Sequence, residues 1–124
     1  MRTQIHKSWS LLSSWKVIQL LIEHGVDLHA RDGNHSTPLH LASSWRNAEV
    51  VQLLIDEGAD IHARDGSHST PLHLASSRGY AETMRLLIDH GADVNARDGS
   101  SKSPLHLILS LVSRSCETIN QALG

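Results

Sequence analysis

Ten histidines stand among 124 residues, and the densest group lies in a phrase that recurs. Positions 32–42 read Asp-Gly-Asn-His-Ser-Thr-Pro-Leu-His-Leu-Ala. Positions 65–75 repeat it with Ser67 in place of Asn34, and an eroded copy begins at Asp98. Such a mixture suggests two chemistries. A hydroxyl beside a base, itself oriented by a carboxylate, would be a nucleophile. Converging imidazoles would hold a transition metal.

The spacing argues against both. His40, His73 and His106 occur once per copy. If each copy is one packed layer, layers stand about 10 Å apart. Shared ligands must each lie about 2 Å from one ion. Each histidine is better read as bonding to backbone or to the neighbouring cap hydroxyl, stapling adjacent loops. The loop histidines His29, His35, His62 and His68 fit no His/Cys zinc spacing. His29 and His62 stand where Asn95 stands one copy later, as interchangeable polar residues. Asp32, Asp65 and Asp98 suit turn hydrogen bonds to backbone N–H groups better than acid–base work. Ser43 and Ser44 read as helix-surface residues. The expectation is no catalytic residue, no metal site and no cofactor.

What must position these residues is the repeat itself. Pro38, Pro71 and Pro104 are spaced by 33 residues, as are Gly25, Gly58 and Gly91. A fixed period in this range marks a stacked array of small supersecondary units. Local signals fill in the unit. Thr37 and Thr70 are helix N-caps, followed by Pro38 and Pro71 at the first helical position, where a missing N–H costs nothing. A short helix runs from Pro71 to about Ser77, and Gly79 suits the left-handed residue that closes it. A second runs from about Ala81 to His90, with Met84, Leu87 and Ile88 on one face, and Gly91 closes it. Residues 92–101 are polar and carry an Asp-Gly turn signal, so they form a projecting, hairpin-like loop. Neither helix is stable alone. Leu39, Leu41, Leu53 and Leu54 are expected to pack on Leu72, Leu74, Leu86 and Leu87 of the next layer.

Both ends depart from the pattern. Residues 16–25 match 49–58, yet Leu11–Trp15 matches Leu41–Trp45 only at a step of 30. The first repeat is therefore short, with merged helices or an abnormally tight turn. At the other end Ile108 replaces the Ala, Val112 the Gly and Ser103 the Thr cap. That end reads as one longer helix with Leu105, Leu109, Val112 and Cys116 inward. The organisation expected is a single domain over 1–124. It comprises a degenerate repeat (1–32), two good repeats (33–65 and 66–98) and a degenerate last repeat (99–124).

Composition limits the partners. Formal net charge is −2, so no basic footprint for nucleic acid is present. No apolar run reaches membrane-spanning length, and no secretory signal is evident. An intracellular protein, cytoplasmic or nuclear, is expected. The single cysteine, Cys116, cannot form a disulfide within the chain. Titration of many histidines would turn the net charge positive at mildly acidic pH.

Thr70-Pro71-Leu72-His73-Leu74-Ala75, the Leu86-Leu87 pair and Gly91-Ala92-Asp93-Val94-Asn95-Ala96 resemble the ankyrin repeat over residues 16–112. The resemblance implies an all-α solenoid of stacked helix-turn-helix units with projecting hairpin-like loops. It implies a non-catalytic, monomeric protein–protein interaction module that uses its loop tips and the concave face of the first helices. Carried over residue by residue, the partner-binding positions are Asn34 and Ser36, Ser67 and Ser69, Ser44 and Trp45, and Ser77 and Arg78. Trp45 stands where Arg78 stands one repeat later, so it is either a binding anchor or a cover for the short first repeat. Two departures are visible. His35, His68 and Ser101 occupy the usual Gly position before the cap, with Gly33, Gly66 and Gly99 expected to supply the flexible turn. Arg46 replaces the Gly between helices, where a left-handed conformation would cost a non-Gly residue on the order of 1 kcal/mol. Two alternatives carry the same pattern: a fragment of a larger array, or the targeting segment of an enzyme domain elsewhere.

Overall fold

The computed structural model describes residues 15–123, with side chains over 15–113. The unusual first-repeat turn before Trp15, and Cys116, lie outside the residues and side chains described. Every regular element among the described residues is a helix. They are α1 (15–23), α2 (Pro38–Ser43), α3 (Ala48–Asp56), α4 (Pro71–Arg78), α5 (Ala81–Asp89) and α6 (Pro104–Leu123). The pairs α2–α3 and α4–α5 form successive layers, α6 packs on α4, and Ile18 and Ile22 of α1 pack against the core beside α2 and α3.

Helix starts follow the local chemistry. Thr37 and Thr70 cap α2 and α4 from extended backbone, with Pro at the first turn. Asn47 caps α3 through its side chain. Helix ends diverge where Gly is present or absent. Gly79 takes φ 71° and lets α4 run to Arg78. The matching Arg46 does not adopt positive φ. Instead α2 stops two residues earlier, at Ser43, and Ser44 closes it in a right-handed conformation. The missing glycine shortens the helix rather than straining it.

The core is one aliphatic cluster across the layers: Leu39, Ala42, Val50, Val51, Leu54, Leu72, Ala75 and Leu87. Each fully buried Leu contributes roughly 1.5–3 kcal/mol, enough to stabilise helices too short to persist alone. Four of the eight expected interlayer leucines sit in this cluster. Leu53, Leu74 and Leu86 are half-buried, whereas Leu41 is exposed on the concave side. Ile88 is also exposed, beside an open cavity between α5 and α6. Ser43 is buried rather than on the surface, and its Oγ has no hydrogen-bond partner among the described residues. One repeat on, Ser76 Oγ donates to the Leu72 carbonyl at 2.7 Å.

The last repeat is a single helix, as expected from Val112 in place of Gly, but its inward face differs from the expected one. Leu105, Leu109 and Val112 are exposed. Ile108 and Leu111 are half-buried and, together with the exposed Val112, line a cavity of about 590 Å³ shared with Met84 and Ile88 of α5. The straight helix carries the chain past the point where a turn would return it along α5.

Candidate functional site

The repeated phrase builds a ladder of loops. In each loop one aspartate fixes the turn. Asp32 Oδ1 accepts from the N–H groups of Asn34 (2.8 Å) and Ser36 (3.0 Å). Asp65 does so with Ser67 and Ser69, and Asp98 with Ser100 and Lys102. Asp27, Asp60 and Asp93 make the corresponding bond at the preceding turn. These carboxylates are committed to backbone. Bonds from Ser36 and then Asn34 hold the Asp32 carboxyl below its ordinary value against slight desolvation. Burial opposes the charged form of Asp98, but backbone bonds from Lys102 and Ser100, with His73 and Lys102 nearby, outweigh it. Groups with lowered folded pKa contribute stability above the unfolded value and lose it as pH falls. Thermal midpoints should therefore drop as pH falls below about 4. The drop should be shallower for the Asp32→Asn/Asp98→Asn double variant.

The turn glycines behave unlike the sequence expectation. Positive φ falls on His35 (61°), His68 (59°) and Ser101 (61°), not on Gly33, Gly66 or Gly99. A left-handed non-Gly residue costs roughly 1–2 kcal/mol. The surrounding bonds hold it there: His35 N–H donates to the Asp32 carbonyl, and the His35 carbonyl accepts from Arg31 Nη1 at 2.8 Å. Gly66 and Gly99 serve another purpose. Their N–H groups bond the Asn34 and Ser67 carbonyls of the preceding loop, both at 2.9 Å. A Cβ there would stand 3.0 and 2.8 Å from those same oxygens.

His40 and His73 are staples. Thr37 N–H donates to His40 Nδ1 at 3.1 Å, so that nitrogen is the acceptor and Nε2 carries the proton. Nε2 then donates to the Ser69 carbonyl at 2.9 Å, in the next layer. His73 repeats this with Thr70 and the Lys102 carbonyl. His106 keeps the local bond to Ser103 but is exposed. Arginines add a rung that the sequence reading missed, although Arg31, Arg64 and Arg97 keep the period. Arg31 Nη1 donates to the Arg64 carbonyl, and Arg64 Nη1 to the Arg97 carbonyl, both at 2.6 Å. His24 and His90, which carry no motif signal, each donate from Nδ1 to a helix-end carbonyl. Among the described residues no group of three or more His, Cys, Asp or Glu is placed to hold a metal ion.

Four of the eight partner-binding candidates meet in one place. Asn34, Ser36, Ser44 and Ser67 line a groove of about 550 Å³ between loop tips and first helices, with Leu41 and Leu74 also in its wall. Trp45 is 53% exposed and lines a neighbouring apolar cavity of about 210 Å³, where Leu41 is shared. Ser77 and Arg78 are exposed but do not line the groove. Ser69 is buried, because its loop is clamped by His40 from the preceding layer and by Asp65 from its own turn. Its backbone, not its hydroxyl, is what the fold uses.

Stacked helix pairs tied by a loop ladder of fixed period define a repeat solenoid. Two family models match the chain: ankyrin repeats (3 copies) over residues 6–65, and ankyrin repeats (many copies) over residues 56–108. The chain belongs to the ankyrin-repeat family. Ankyrin repeats are in general protein–protein interaction modules and typically non-catalytic. No curated protein matches the chain. Among the described residues no helix is long and apolar enough to cross a membrane.

Proposed function

We propose that this chain binds a partner protein with its loop tips and the concave face of its first helices, and catalyses nothing itself. The observation that carries this reading is the groove in which Asn34, Ser36, Ser44 and Ser67 converge. Hydroxyl and amide groups ring it with exposed Leu41 in its wall, and Leu41 also lines the neighbouring apolar cavity bordered by exposed Trp45. That combination, polar groups around an apolar anchor, is how protein interfaces concentrate their energy.

Trp45 is the anchor in this reading. Trp45→Ala is expected to weaken partner capture by about 30-fold or more, a hot-spot loss of about 2 kcal/mol. Helical signal and melting midpoint should stay near those of the unmodified chain. Asn34→Arg/Ser67→Arg, which fills the groove without touching the core, should remove the same captured protein in a pull-down. Arg85→Ala, on α5 away from the groove, should not. Capture indifferent to both groove changes defeats the reading. An equal fall in folding and capture on Trp45→Ala makes Trp45 a structural cover instead.

A further inference from the structure

The two ends of the stack carry the two halves of one bond set. Between successive layers three hydrogen bonds recur. Arginine Nη1 donates forward to the next arginine carbonyl. Histidine Nε2 donates forward to the Ser69 or Lys102 carbonyl. The Gly66 and Gly99 N–H groups donate back to the Asn34 and Ser67 carbonyls. By the same period, the last loop presents Arg97 Nη1, His106 Nε2 and the Ser100 carbonyl. The first presents the Arg31 carbonyl, the Ser36 carbonyl and the Gly33 N–H. Each group at one end matches one at the other, donor to acceptor. Among the described residues none of these six has an interlayer partner.

Apolar surface follows the same rule. Leu105 is 61% exposed, whereas Leu72, one period earlier, is 1% exposed. Val17 is 54% exposed, whereas Val50, one period later, is 2% exposed. End layers of a solenoid ordinarily turn a polar face to water. Among the described residues, Leu105 and Val17 are thus exposed at positions that are interior elsewhere in the stack.

We infer that a second copy of this chain docks its first loop layer onto the last loop layer, continuing the ladder across the junction. Continuity with the internal interface is the argument: the junction reuses bonds that the chain already makes twice. Two different surfaces meet, so each copy keeps one open end, and association is head-to-tail and open-ended rather than a closed dimer. This departs from the monomer expected from the sequence, and it does not rest on partner binding.

Sedimentation equilibrium of the purified chain over a wide concentration range tests it. Apparent mass should climb with concentration past twice 13.6 kDa. Leu105→Lys/Leu109→Lys blocks one end. Val17→Lys/Gly33→Ala blocks the other, because a Cβ at the equivalent Gly66 and Gly99 meets a neighbouring carbonyl, whereas at Gly33 nothing lies within 4 Å. All four positions are exposed, and unchanged far-UV spectra would verify that both variants fold. Each variant alone should remain monomeric, and their equimolar mixture should form a one-to-one pair through the two intact ends. Monomer mass for the unmodified chain at every concentration overturns the inference. So does association unaffected by either variant, or a mixture of blocked variants that stays monomeric.

Discussion

Replacing His40 with Ala is expected to destabilise the chain by about 3–4 kcal/mol, with the helices otherwise intact at low denaturant. The imidazole is fully buried and does two jobs at once. Nδ1 accepts from the Thr37 N–H at the start of α2, and Nε2 donates to the Ser69 carbonyl of the next layer. Alanine leaves the Thr37 N–H without its acceptor in a dry interior, at about 1–3 kcal/mol, removes one of the two bonds to the Ser69 carbonyl, which keeps the Asp65 N–H, and opens a cavity. Against a total stability of about 5–15 kcal/mol for a domain, this is a large fraction. His106→Ala provides the contrast. The same residue in the same phrase is exposed in the last repeat, so its loss should cost about 0.5 kcal/mol or less. His40→Gln should fall between. Glutamine at this position can accept from the capping N–H, but its amide places acceptor and donor at one end rather than on opposite sides of a ring. Denaturant midpoints at unchanged slope measure all three. Equal losses for His40→Ala and His106→Ala would mean that the local cap, not the interlayer bond, is what the histidine provides.

That contrast also marks where sequence reading succeeds and where it stops. Thr37-Pro38 and Thr70-Pro71 announce helix starts because capping acts within three residues, so the signal and its cause are neighbours in the chain. The stapling role of His40 was legible for the same reason on its Nδ1 side, and the period supplied the other side. Leu105 was not legible. It matches Leu72 in type and register, yet one is buried and the other exposed, because burial depends on whether a further layer exists. Arg46 misled in a related way. Local logic predicts strain at a missing glycine, whereas a helix free to stop early avoids it. The candidate groove was legible only in part. Asn34, Ser36, Ser44 and Ser67, from two loops and the end of a first helix, line one groove. Ser69 drops from the surface because a histidine 29 residues earlier reaches across to its carbonyl.

Gly99→Ala should cost about 2–3 kcal/mol, Gly66→Ala somewhat less, and Gly33→Ala nothing. Ordinary reasoning about glycine predicts no such ordering. None of the three adopts positive φ. Substituting Ala for Gly at a conformationally compatible site usually stabilises by about 0.4–1 kcal/mol, by restricting the unfolded chain. That is the outcome expected at Gly33, where an added Cβ meets no atom within 4 Å. At Gly99 the Cβ would lie 2.8 Å from the Ser67 carbonyl oxygen, a backbone atom that cannot swing aside. Relief requires the loops to separate, which lengthens the 2.9 Å bond from Gly99 N–H to that same oxygen. The displacement would also strain the staple from His73 to the Lys102 carbonyl. Overpacking of this kind typically costs about 1–3 kcal/mol, and a weakened hydrogen bond adds about 0.5–1.5 kcal/mol. At Gly66 the gap to the Asn34 oxygen is 3.0 Å, so less movement suffices. Chemical denaturation of the three variants, with amide exchange at residues 66 and 99, measures both the stability and the interloop bond. Stabilisation by all three alanines would show that the loops do not press on one another. Loss at Gly99 and Gly66 with gain at Gly33 would show that the glycine of Asp-Gly is selected by the loop before it rather than by its own turn.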